Sequence, residues 1–138
     1  METFHDHSES YANLEQAKRI QTLSLEYDLP PDSRLNFTPV YLPHDMIGGD
    51  YFAIRQLDRD HYGFFLADVM GHGVAASLHT MHLSALWHRY QHTLRQPAKF
   101  MQILNRALCG VGKDESFATA ICGVLDVACH SNAMRAGL

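Results

Sequence analysis

Apolar positions fall into blocks whose spacing changes along the chain. From Ser10 to about Tyr27, Ala12, Leu14, Ala17, Ile20, Leu23 and Leu25 alternate with Glu15, Gln16, Lys18, Arg19 and Gln21, which predicts a helix. Pro30 and Pro31 stop it, because proline has no N–H to donate and clashes with the preceding turn. Asp32-Ser33 reads as a turn and Leu35 to Leu42 as a strand, with Pro39 marking an edge or bulge. Pro43 to Gly49 is a loop closing on Gly48-Gly49. Tyr51 to Leu57 and Tyr62 to Val69 then read as strands joined by a hairpin turn at Asp58-Arg59-Asp60. The second strand is almost wholly apolar (YGFFLADV), the pattern of a strand covered on both faces.

Gly71-His72-Gly73 interrupts the apolar run, and a long helix is predicted from about Val74 to Leu94. Pro97 suits the first turn of a second helix reaching Cys109. Gly110 to Ser116 reads as loop, Phe117 to Val127 as a buried strand, and Asn132 to Ala136 as the start of another. No repeat, low-complexity tract or interdomain linker is visible. Strands adjacent in sequence, rather than strictly alternating with helices, predict a mixed α/β (α+β) fold on an antiparallel sheet.

Composition narrows the classes. A chain of 138 residues, 46% hydrophobic and 19% charged, fits one globular domain. Its net charge of -4 and lack of a basic stripe argue against nucleic acid as partner. No run approaches the roughly 20 apolar residues that cross a bilayer. The polar, acidic METFHDHSES is neither a secretory signal nor a basic presequence, so a cytoplasmic location is expected. Cys109, Cys122 and Cys129 lack close pairing and read as buried reduced thiols.

Two aspartates stand out for their setting. Asp50 follows Gly48-Gly49 and opens a strand (MIGGDYF). Asp68 lies near the end of the most apolar strand, before a glycine-rich turn (FFLADVMGHG). A carboxylate at the end of a buried strand is costly unless paired or hydrogen-bonded. The hairpin at 58–60 would run the two strands antiparallel and bring Asp50 beside Asp68. Two adjacent carboxylates repel, and a divalent cation relieves them. Hard oxygen donors favour magnesium, manganese or calcium over zinc. The plainer alternative is that Asp50 caps a turn and Asp68 caps the helix after Gly71.

With these residues in place a family resemblance emerges. In order along the chain, LEQAKRIQTLSL, TPVYLPHDMIGGDYFAI, FFLADVMGHGVAASLHTMHLSAL, ILNRAL and SFATAICGVLD resemble segments of the SpoIIE/RsbU branch of the PPM-type (type 2C) metal-dependent protein phosphatases. The resemblance implies a PPM-like antiparallel β-sandwich flanked by helices. Residues 1–10 would then be a polar lead and 11–138 the N-terminal part of the domain, its C-terminal portion missing. It implies a binuclear manganese or magnesium centre with Asp68 as bridging ligand, Asp50 as direct or water-mediated ligand, and the backbone carbonyl of Val69 as a further donor. It implies attack of a metal-activated water on phosphoserine or phosphothreonine of a regulatory protein, such as an anti-sigma-factor antagonist. The opening helix would face a separate sensor or receiver protein, or a second copy in a homodimer.

Departures from the family pattern are also visible. Ala53 stands where members often carry a second acid, the Leu25–Pro31 stretch replaces a Leu-Leu-Pro ending, and RAGL replaces Ala-Gly-His. The further aspartates of the family have no match, so a non-catalytic partner-binding module is the alternative. His72 reads either as a general acid, its ordinary pKa being near neutral, or as packing of the tight turn. His79 with His82 and His88 with His92 could each share a helix face, but neither pair has a third ligand at zinc spacing. Met81, Leu83, Leu86, Trp87 and Tyr90 form a core or interface stripe, and Lys18 and Arg19 lie on a solvated face.

Overall fold

The computed structural model describes residues 3–27, 29–32, 34–109 and 117–128. In chain order these form α1 (Thr3–Ser24), β1 (Asp50–Gln56), β2 (His61–Val69), α2 (Gly73–Tyr90), a single 3-10 turn (Gln91–Thr93), α3 (Pro97–Cys109) and β3 (Ala118–Asp126). The strands make one antiparallel sheet in the order β1-β2-β3. Mixed helices on an antiparallel sheet bear out the expected class, as a partial PPM-like α/β domain.

Each strand lies within one residue of its predicted bounds at either end. The β1–β2 turn forms because Asp58 Oδ1 accepts from the backbone N–H of Asp60 at 2.9 Å and of His61 at 3.0 Å. Period-two alternation then sorts side chains between the faces. Tyr51, Ala53, Phe65, Ala67 and Val69 are buried in the core shared with Leu83, Leu86 and Trp87 of α2 and Phe100 and Leu104 of α3. Phe65 is the hub. Its ring lies parallel to Trp87 at 6.2 Å and edge-on to Phe100 at 5.4 Å. Such aromatic pairs add about 0.5–1.5 kcal/mol each beyond area burial.

Four expectations are corrected. Leu35–Leu42 is irregular, joined to the sheet system by no ladder; its one bridge is Asp32 to Leu35. The stretch has the β-branched and aromatic composition of a strand but no partner strand among the described residues, and a strand needs one. The first helix begins at Thr3, not Ser10, and among its described side chains the buried position is Gln21, while Ile20 and Leu23 are exposed. The helix after Gly73 ends at Tyr90, so His92 lies in the 3-10 turn and does not share a helix with His88. β2 is not covered on both faces along its whole length: Tyr62 is buried, but Leu66 and Asp68 on the same face are exposed.

The thiols differ from expectation too, with Cys109 exposed and Cys122 half-buried, both free. Burial pushes the Cys122 thiol above its ordinary range. Cys129, the predicted loop at 110–116 and the predicted strand at 132–136 lie outside the described residues. No helix among the described residues is long and apolar enough to cross a membrane.

Candidate metal centre

The β1–β2 register places Asp50 directly opposite Asp68. Both side chains point to the exposed face of the sheet, where they line one open groove with Tyr41, Leu42, Phe52 and Thr119. The reason offered from the sequence, a carboxylate stranded in a buried strand end, does not hold for Asp68, which is solvent-facing. Mutual repulsion does hold. The Asp50 carboxyl is pushed above the usual carboxylate range, first by partial burial, then by the charge of Asp68 and by a hydrogen bond between the two groups. Asp68 does not cap α2, because His72 occupies the N-cap position and the first turn holds no acidic residue.

Two glycine features bring the backbone close to this pair. A Cβ on Gly49 would lie 2.7 Å from the Val69 carbonyl oxygen, closer than real contacts allow, so only glycine lets the loop approach the end of β2. The contact is fastened by the Val69 N–H, which donates to the Gly49 carbonyl at 2.9 Å. Gly71 and Gly73 take φ of +92° and +75°, left-handed values that side chains resist, with His72 extended between them. The Gly-Gly-Asp and Gly-His-Gly segments therefore have separate backbone reasons to be glycine-rich.

Gln21 is the residue that sequence reasoning missed. It is 4% exposed, and its amide makes a three-point clamp. Nε2 donates to the Gly48 carbonyl at 2.7 Å and to Thr80 Oγ1 at 2.7 Å, while Oε1 accepts from the Gly48 N–H at 2.9 Å. One side chain of α1 thereby fixes the loop before Asp50 to α2. The available signal was spacing: Gln21 stands seven residues after Leu14 and four after Ala17, on the same helical face.

His72 is brought to a different carboxylate. Its Nδ1 lies 3.5 Å from Asp45 Oδ2, and it makes no ion pair with Asp50 or Asp68. Of the other histidines, His88 Nδ1 lies 3.4 Å from Glu26, which also accepts the Trp87 indole N–H at 2.9 Å. No cluster of three or more His, Cys, Asp or Glu side chains with metal-site geometry forms among the described residues. Asp50 and Asp68 are thus a two-carboxylate platform of hard oxygens. This suits magnesium or manganese, which are commonly held by one or two carboxylates and keep several waters.

Residues 58–137 match the family model described as stage II sporulation protein E (SpoIIE), a span that takes in Asp68, Val69 and His72 and begins after Asp50. The chain is 32% identical over 119 residues to phosphoserine phosphatase RsbP of Bacillus subtilis (strain 168). The alignment covers 83% of this chain and 29% of that relative, so the chain spans well under half the length of the curated protein it matches.

Proposed function

The chain belongs to the SpoIIE family, and from that premise we propose that it carries the metal-binding part of a phosphatase acting on phosphoserine or phosphothreonine of a regulatory protein. The observation that supports this best is the cross-strand pairing of Asp50 with Asp68, two mutually repelling carboxylates at an open groove.

In this reading Asp68 and Asp50 hold manganese or magnesium, with the Val69 carbonyl as a further oxygen donor at the same strand end. A divalent cation there supplies a water of lowered pKa and neutralises charge on the phosphoryl group. The protein's own contribution is to set the carboxylates at fixed spacing across a ladder and to keep Gly49 close against Val69. His72 turns Nδ1 toward Asp45, leaving Nε2 as the atom able to give a proton to the departing serine or threonine oxygen. On α1, Tyr11, Ile20 and Leu23 are exposed, Leu23 at 82%. These residues fit contact with a second copy or with a separate sensor or receiver protein.

The test is manganese-dependent release of phosphate from a phosphoserine peptide by the full gene product. Activity lost on chelation and lost in Asp68→Asn supports the reading. Manganese-independent activity overturns the metal-centre reading, and absence of activity in the full product leaves a non-catalytic partner-binding module as the better account.

A further inference from the structure

Three exposed polar residues stand in one row across the sheet. Asp68 on β2 faces Asp50 on β1 and Thr119 on β3, so the threonine flanks the central carboxylate on the side away from Asp50. Directly opposed strand residues stand roughly 4.5–5.5 Å apart at Cβ, which brings Thr119 within reach of a group seated at Asp68. The next row on this face is apolar, formed by Phe52, Leu66 and Ile121. By strand alternation the β3 positions on the face are Thr119, Ile121, Gly123 and Leu125. The strand's one polar side chain there stands beside the two carboxylates.

The composition of the groove gives that hydroxyl a use. A phosphoryl group presents oxygens that accept hydrogen bonds, so a site that grips it needs donors as well as a cation. Among the described residues, no lysine, arginine, histidine, asparagine or glutamine lines the groove at Asp50 and Asp68. Its two phenols are turned elsewhere: Tyr51 is buried in the core, and the Tyr41 hydroxyl is buried over Gly48. Thr119 is therefore the lining side chain with an O–H open to solvent. A neutral donor suits the place, because a lysine or arginine there would pair with the carboxylates and compete with a divalent cation for them. We propose that Thr119 is a substrate-contacting residue, its Oγ1–H donating to a phosphoryl oxygen of the phosphoserine or phosphothreonine. The proposal rests on the phosphatase reading given above and adds to it the protein's own hold on the phosphoryl group.

The test compares Thr119→Val and Thr119→Ser with the wild type in the full gene product. Calorimetry reads manganese affinity first, then the affinity of the manganese-loaded protein for inorganic phosphate. Valine keeps the branched shape and removes the hydroxyl, so the strand and the metal-free melting temperature should be unchanged. A hydrogen bond to a charged acceptor predicts phosphate binding weakened about tenfold in Thr119→Val, at unchanged manganese affinity. Serine keeps the hydroxyl and should bind phosphate nearly as the wild type does. Equal phosphate affinity in wild type and Thr119→Val overturns the proposal alone, as does a wild type that binds manganese but not phosphate. Loss of phosphate affinity with an equal loss of manganese affinity, or a loss that Thr119→Ser shares in full, overturns it in favour of a structural role. Absence of manganese binding in the wild type overturns the metal-centre reading, and this inference with it.

Discussion

Asp50 is held against its electrostatic interest. Its folded pKa is raised, so the folded state binds the proton more tightly than the unfolded chain does. Stability from this group is therefore full below the ordinary aspartate pKa of about 3.9 and is lost as pH rises through the higher folded value. At neutral pH without metal, the ionised pair works against folding. Asp50→Asn should raise the metal-free melting temperature at pH 7, by less than about 1 kcal/mol in stability because both groups face solvent. Melting in the presence of a chelator checks this, and a lower melting temperature for the variant contradicts it. The pairing itself was legible in the sequence. Two strand-like runs either side of Asp58-Arg59-Asp60 point to a hairpin, and a hairpin of that length sets position 50 opposite 68. The solvent exposure of Asp68 was not legible, since an apolar run gives no sign of which faces are covered.

At the scale of elements, the opening helix is tied to the candidate site by polar contacts more than by its apolar residues. Apolar periodicity predicts Ile20 and Leu23 as inward positions, yet both are exposed, and Gln21 is buried on the loop and α2. Binary patterning misleads here because a glutamine that satisfies a loop's backbone groups is read as surface. Gln21→Ala leaves the Gly48 N–H and carbonyl without their partner and should destabilise the fold by about 1–3 kcal/mol. Urea unfolding measures this directly, and an unchanged midpoint would show that the clamp is dispensable. A second polar tie secures the hairpin tip. Arg34 bridges Asp32 at 2.8 Å and Asp60 at 2.5 Å, Tyr62 donates to Asp32 at 2.8 Å, and Asp58 pairs with His61 and Arg95. Hydrogen bonds from Arg34 hold the Asp32 carboxyl well below its ordinary range, and those from the turn backbone, His61 and Arg95 do the same for Asp58. For such depressed groups the stability is present above the ordinary aspartate pKa and is lost as pH falls toward the lower folded values. Acidification below about pH 4 should therefore loosen the backbone at Asp32, Arg34 and Leu35 and the 57–61 turn before the core melts. Hydrogen exchange at those amides, compared between pH 6 and pH 3, reads this order, and simultaneous loss with the core contradicts it.

At the scale of the molecule, core and candidate site occupy opposite faces of one sheet. The helix-side face closes around Phe65, Trp87 and Phe100, all fully buried, and of these Trp87 was legible in the α2 stripe. The opposite face carries Asp50 and Asp68 beside exposed Leu66 and Ile121, and there the sequence said less. Strand propensity in Leu35–Leu42 promised a ladder, but pairing depends on a neighbour that local composition does not supply. Family motifs located the aspartates; the register explains why they meet. The central claim is that this meeting place binds a divalent cation, and thermal melting of the full gene product with increasing manganese tests it most directly. A ligand that binds only the folded state raises the melting temperature in proportion to its occupancy. The expected result is a saturable rise for the wild type that disappears in Asp68→Asn. An equal rise in the wild type and in Asp68→Asn, or no rise in either, would contradict the account.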